Sequence, residues 1–416
     1  MQFLSSRLKA FLRRTKRGSA QLYLDYAAAT PVLPLVATLM DTIQRESYGN
    51  PGAIHAAGVT AARIVSDARL TLARLLGVRP VEVFFTASGT EANNLAILGY
   101  ITHLQVTGQA YTDMQIVSTR LEHPSVLAVL KALERRGVTI VYVAVDDAGK
   151  IDVSSLREAL TDQTMLVTFA YANSEVGIVQ DVKRITRAVR LYNTKHTTTI
   201  RVHLDAAQAP LWLPCQVHQL GVDMMSLDAG KCNGPKGVGV LIKRAGVTLD
   251  SVMLGGGQET GLRAGTENVA AIAGCALAIA HAQDSYPERS AVIYSSVRAL
   301  VAALRTHVPE AVFNGPDFVD DVAKLERLPN NVHISLPGFD TEYAVIYLDK
   351  HGIAASTRSA CSGAGEGASA TVAEMTGDSA RAAATIRFSL DPAITPKEIV
   401  RVATVLRQFI DLQLTV

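Results

Sequence analysis

The sequence predicts an α/β fold, with a mostly parallel central sheet in a large domain and a smaller α+β domain behind it. Three observations predict it. Short apolar runs recur between helical stretches from residue 81 to residue 243, and strands alternating with helices build parallel sheets. The runs are β-branched and continuous rather than alternating, as in strands covered on both faces. With 416 residues and a hydrophobic fraction of 48%, the chain is long enough for about two domains and apolar enough to bury a large core.

The first element is a basic leader, residues 1–21, which holds Arg7, Lys9, Arg13, Arg14, Lys16 and Arg17 and no acid. Leu4, Leu8, Phe11 and Leu12 share one helical face. The leader reads either as a solvated arm or as a membrane-surface or organelle-targeting helix. The chain as a whole has a net charge of +2, so with six basic residues in the leader the remainder stands at −4. That balance offers no nucleic-acid-binding surface. No apolar run reaches the roughly 18 residues of a membrane span. Cys215, Cys232, Cys275 and Cys361 are widely spaced without a CxxC pair. This excludes a disulfide framework and a zinc ribbon, and suggests a reducing, cytoplasmic setting.

Strands are expected at 81–86, 115–119, 139–145, 165–172, 199–205, 222–228 and 238–243. Helices are expected at 89–100, 124–136, 154–160 and about 182–192. Residues 269–280, rich in alanine, read as a buried helix. From about 285 the rhythm changes: two long helical patterns flank a strand at 332–338, and a helix starts at Pro396. The boundaries are therefore 1–21 for the leader, 22–284 for the large domain and 285–416 for the small one. About the first 15 residues of the large domain are expected to pack with the small domain.

Ligands of open α/β sheets bind at the carboxyl ends of the strands, so the residues after each strand carry the chemistry. Ser88-Gly89-Thr90-Glu91 is a small-residue turn opening a helix; it is either a plain N-cap or an anion site. Asn173-Ser174-Glu175 follows another strand, and Asp205 ends the next. Lys231 follows the 222–228 strand. Alone, Lys231 is equally a surface lysine in a Gly-Pro turn. With Asp205 it suits a pyridine cofactor: the amine forms a Schiff base and the carboxylate keeps the ring nitrogen protonated. The same segment fails as a P-loop, because Met225 and Cys232 stand where Gly and Ser/Thr belong. His123 is either a buried polar residue or a ring stacked on a planar cofactor. Cys361, among serines and glycines, suits an exposed nucleophile. The other three cysteines read as structural. Gly363 to Ala368 mimics a dinucleotide fingerprint but reads as a loop, and Gly255–Gln258 with Arg263–Thr266 forms a second glycine and hydroxyl cluster.

Ten ordered segments then carry a resemblance. They are LYLDYAAATP (22–31), YGNPGAIH (48–55), FFTASGTEANNLAI (84–97), EHPSVL (122–127), YANSEVG (171–177), HLDAAQ (203–208), GKCNGPKGVGVL (230–241), GGGQETGLRAGTENV (255–269), SACSG (359–363) and TIRFSL (385–390). Over roughly 22–410 the chain resembles the cysteine desulfurases of the NifS and IscS type, in the class V aminotransferase family. The resemblance implies a fold-type I homodimer using pyridoxal 5′-phosphate (PLP), with no metal.

By position, Lys231 is the Schiff-base lysine, Asp205 faces the pyridinium nitrogen and Gln208 faces the ring hydroxyl. His123 stacks on the ring and moves protons. Gly89 and Thr90 bind the phosphate, and Thr266 reaches the phosphate of the other subunit. Ser174 and Asp228 fall at further cofactor-binding positions. Arg387 takes the substrate carboxylate, and Cys361 is the nucleophile that receives the sulfur of L-cysteine. A sulfur-acceptor protein, for iron–sulfur clusters or tRNA thiolation, is the implied partner. Three positions depart from the family: Gly230 stands where it has His, Asp228 where it has Ser, and Ser174 where it has Asn. The alternatives are a related PLP lyase or aminotransferase such as a selenocysteine lyase, and a catalytically impaired sulfur-pathway partner.

Overall fold

The computed structural model describes residues 21–357 and 368–415. Residues 1–20 of the leader, where a helical face is expected, and Cys361 lie outside the described residues.

The twelve strands run β1 (Leu22–Tyr23), β2 (Val83–Thr86), β3 (Gln115–Ser118), β4 (Thr139–Tyr142), β5 (Thr164–Ala170), β6 (Arg201–Asp205), β7 (Met224–Asp228), β8 (Gly239–Lys243), β9 (Val312–Phe313), β10 (Asn331–Ser335), β11 (Ile353–Ala354) and β12 (Thr385–Ser389) among the described residues. The central sheet has the order β2-β8-β7-β6-β5-β3-β4. The strands β7, β6, β5, β3 and β4 pair in parallel, and β8 runs antiparallel to both β2 and β7. The mostly parallel expectation therefore holds. The strands are shorter than their apolar runs: β2, β6, β7 and β8 start one or two residues later, and β3, β4 and β5 end one to three residues earlier.

Neighbouring residues on one strand face opposite cores, as the period of two requires. Phe84, Ile116, Leu166, Met224 and Leu241 join one buried cluster. Their neighbours Phe85, Val117, Val167, Met225 and Val240 join the other. Both faces are covered, which is why the strands read as unbroken apolar runs.

The helices are α1 (Pro34–Glu46), α2 (Ala56–Leu76), α3 (Gly89–Val106), α4 (Pro124–Glu134), α5 (Val153–Ala159), α6 (Val182–His196), α7 (Val217–Leu220), α8 (Val269–Asp284), α9 (Tyr286–His307), α10 (Thr341–Lys350), α11 (Ala370–Thr376), α12 (Ser379–Ala383) and α13 (Pro396–Leu414). The small-residue helix α8 is buried along most of its length and packs on α1 and α2. Gly274 lets α1 approach: a Cβ there would stand 2.9 Å from the Met40 side chain.

In the C-terminal part, β10 pairs antiparallel with β12 and β9, and α13 packs on α9 and α10. The helix after β10 has ten residues, shorter than the long pattern expected there. The segment after Gln21 does not join the central sheet. Leu22 and Tyr23 pair in parallel with β11, and Asp25 bridges to Ser389. Among the described residues, no helix is long and apolar enough to cross a membrane.

Candidate active site

The carboxyl ends of β3, β5, β6 and β7 open on one cavity of about 290 Å³. The N-terminus of α3 opens on it from the side. Gly89, Thr90, His123, Ser174, Asp205, Gln208, Asp228 and Lys231 all line it. These residues come from five separate stretches of chain, and the sheet alone makes them neighbours.

Asp205 ends β6 and is 7% exposed. Its Oδ1 accepts from the Ala207 backbone N–H at 3.0 Å. Its Oδ2 accepts from Asn93 Nδ2 on α3 at 2.8 Å. The carboxylate is thus fixed at the floor of the cavity by two donors.

The same Asn93 amide donates to Ser125 Oγ at 2.9 Å, and Ser125 Oγ lies 2.8 Å from His123 Nδ1. His123 caps α4, and its Nδ1 accepts the Ser125 backbone N–H at 3.1 Å. A ring nitrogen that accepts a backbone donor carries no proton, so the remaining proton of a neutral ring sits on Nε2. Burial, and after it the nearby Lys231 ammonium, push the His123 pKa below its ordinary value. His123 is therefore neutral near pH 7, in one tautomer set by Asn93 and Ser125.

Gln208 donates its amide to the Ala27 carbonyl at 2.8 Å, which orients it from the N-terminal segment. Lys231 ends a short 3₁₀ turn, Ala229–Lys231, capped by Asp228. Asp228 Oδ1 accepts from Gly230 N–H at 2.9 Å, and Oδ2 accepts from Gly89 N–H at 2.9 Å.

Two expected residues sit elsewhere. Thr266 lines a separate recess with Ala87, Gly237, Arg263 and Asn268. Arg387 on β12 is 1% exposed and lies behind the cavity wall. It donates to the Ser174 carbonyl at 2.8 Å and to Asp25 Oδ1 at 2.6 Å. Cys361 lies outside the described residues, but Ala368, Ser369, Ala370 and Thr371, which follow it by seven to ten positions, line the cavity.

Sequence reasoning missed Asn93, Ser125, Glu122 and Asp25. A signal for Asn93 was present: it falls four residues after Gly89 and three after Thr90, on their face of the helix. Glu122 is fully buried, and burial pushes its carboxyl up to about 8. Thr119 Oγ1 donates to its Oε1 at 2.6 Å, while Oε2 has no hydrogen-bond partner among the described residues.

The donors fit a phosphorylated pyridine aldehyde at its ring end. A primary amine, a carboxylate held by two donors and a neutral imidazole converge on one cavity. The Asn93 Oδ1 atom there is buried without a hydrogen-bond partner among the described residues.

Comparison with known proteins decides the family. The family described as Aminotransferase class-V matches residues 22–402. The chain belongs to it. Within that family it is 34% identical over 390 residues to the cysteine desulfurase IscS of Clostridium botulinum, covering 94% of each chain. To the cysteine desulfurase IscS of Dictyoglomus turgidum it is 33% identical over 394 residues, covering 94% of this chain and 95% of the other. The solved structure of a NifS-like protein superposes with a TM-score of 0.85 at 31% identity, covering 94% of this chain and all of that one. The structure titled "SspA in complex with cysteine" has a TM-score of 0.72 at 28% identity, covering 90% of this chain and all of that one. The chain is a member of this PLP-dependent group, with its fold-type I architecture.

Proposed function

We propose that the protein is a PLP-dependent cysteine desulfurase that converts L-cysteine to L-alanine and leaves the sulfur on Cys361 as a persulfide. One observation carries this reading: Lys231, Asp205 and neutral His123 face one cavity in a chain whose relatives are cysteine desulfurases. The relatives favour neither the selenocysteine lyase nor the impaired-partner alternative.

PLP, when bound, supplies an electron sink for the α-carbon of the amino acid. Lys231 would hold it covalently and, once displaced by substrate, would be the amine free to move the α-proton. Asp205, fixed by Asn93 and Ala207, would keep the ring nitrogen protonated. His123 would stack on the ring and present its Nε2–H to the cavity. Gln208 and Ser174 would contact the ring from the N-terminal and β5 sides. Gly89 and Thr90 would hold the phosphate.

Cys361 acts as a thiolate. Its sulfur bonds to the substrate sulfur as the substrate's Cβ–S bond breaks, and protons complete alanine and the persulfide. A reducing, cytoplasmic setting keeps Cys361 available as a thiol. The persulfide then passes to an acceptor protein, for iron–sulfur cluster assembly or tRNA thiolation.

A homodimer completes this reading. Thr266 lines a recess outside its own cavity, which supports a role for it at the phosphate of a second copy. Exposed Val252, Met253 and Leu254, close to it in sequence, offer apolar surface for that contact. The division into a large domain, 22–284, and a small domain, 285–416, with Cys361 on the small one, is part of the same proposal.

The test pairs two variants. Lys231→Ala should lose the visible absorption band of the purified protein. Cys361→Ala should keep the band and release no sulfide from L-cysteine. Sulfide release by Cys361→Ala at the wild-type rate would overturn the mechanism.

A further inference from the structure

The anion end of the cavity is already occupied by a side chain of the protein. The N-terminus of α3 presents backbone N–H groups and the positive end of an 18-residue helix. That is where a phosphate dianion belongs. In this chain the Gly89 N–H is taken by Asp228 Oδ2, while Asp228 Oδ1 takes the Gly230 N–H.

The surroundings are built for this carboxylate. A Cβ on residue 89 would stand 3.1 Å from Asp228 Oδ2, and one on residue 230 would stand 3.2 Å from Oδ1. Both positions are glycine, so the carboxylate fits between two bare backbones.

We propose that Asp228 is a specificity-determining residue of the cofactor site, a built-in carboxylate that competes with the cofactor phosphate for the α3 N-terminus. This rests on the PLP reading above. A phosphate arriving at Gly89 must displace Asp228 Oδ2 and then lie beside its charge. Two anions sharing one donor repel, so the phosphate contributes less to affinity here than a helix N-terminus ordinarily allows. The contact with the ring end, through Lys231, Asp205 and His123, is untouched. The chain should therefore discriminate weakly between PLP and pyridoxal, its phosphate-free form.

The experiment titrates PLP and pyridoxal separately into full-length protein freed of cofactor with hydroxylamine, following the absorption band. It compares wild type, Asp228→Ser and Asp228→Asn. Serine removes the charge and can still cap Gly230; asparagine keeps the shape and loses only the charge. The expected result is PLP bound roughly ten- to hundredfold more tightly by Asp228→Ser, the range of one hydrogen bond to a charged group. Asp228→Asn should gain less, and pyridoxal affinity should change by less than about threefold, since none of the ring contacts is altered. If neither variant binds PLP more tightly, or if both ligands gain alike, the proposal is overturned. If wild type gives no band with either ligand, the PLP reading falls, and this inference with it.

Discussion

Glu122 carries a sign that can be measured. Its carboxyl is raised to about 8 by burial, against an ordinary value of 4.5. Between those values the unfolded chain has released this proton and the folded chain still holds it. The folded state binds more protons, so stability falls as pH rises through that window. The slope is at most about 1.4 kcal/mol per pH unit. Glu122→Gln resembles the protonated acid and removes the slope. Urea unfolding at pH 5, 6, 7 and 8, as a series of round set points, should show the variant gaining on wild type at each step. Parallel curves would mean that Glu122 is ionised in the fold. Residues of this kind were hard to read from the sequence. Lys231, Asp205 and His123 follow strands directly, where the carboxyl-end rule points. Asn93 and Ser125 are polar residues near helix starts; locally only the helical spacing of Asn93 from Gly89 and Thr90 marks it, and its partner Asp205 is 112 positions further on, at 2.8 Å. Arg387 was legible as a cation on a C-terminal motif. Its burial and its pairing with Asp25 were not.

Elements were legible in proportion to their apolar contrast. The strands of the large sheet stood out because both faces are covered. The direction of β8 follows from its link to β7 over 229–238, since a parallel neighbour needs a crossover of about a dozen residues or more. The helices α1 and α2 escaped notice, although the buried positions of α2, Gly58, Ala61, Val65, Ala68, Leu72 and Leu76, recur at helical spacing; the small residues among them weaken the apolar contrast. The element that matters most to the site is α3, and its position is set by β8. A Cβ on Gly239 would stand 2.4 Å from the Ser88 carbonyl carbon and 2.8 Å from Gly89 N. The bare strand backbone lets the helix start come close, beside Asp228. Gly239→Ala should push the two apart and lower stability by about 1–3 kcal/mol, as overpacking does. Because the displaced atoms are those of the α3 N-terminus, PLP affinity should fall more than pyridoxal affinity in the same titration. Equal loss of both would place the strain away from the phosphate end.

At the scale of the whole molecule, one ion pair ties the two ends of the chain to the cavity wall. Asp25 lies just after β1, which pairs with β11. Arg387 lies on β12, paired through His333 to β10. The guanidinium is 1% exposed and reaches Asp25 at 2.6 Å and the Ser174 carbonyl at 2.8 Å, and among the described residues its Nε has no hydrogen-bond partner. A buried cation paired with a carboxylate depends on it: removing one partner of such a pair costs about 3–5 kcal/mol, because the other charge is left uncompensated. Asp25→Asn should therefore destabilise the protein by that amount. Arg387→Gln alone should do comparable damage at Asp25, reduced by the 18% exposure of that side chain. The double variant leaves no charge stranded and should recover part of the loss, with a coupling above about 1 kcal/mol where independent sites add to within about 0.5 kcal/mol. Since Ser174 sits in the wall and holds the same guanidinium, either single variant should also raise KM for L-cysteine. Additive stabilities with an unchanged KM would show that the pair joins neither the chain ends nor the site.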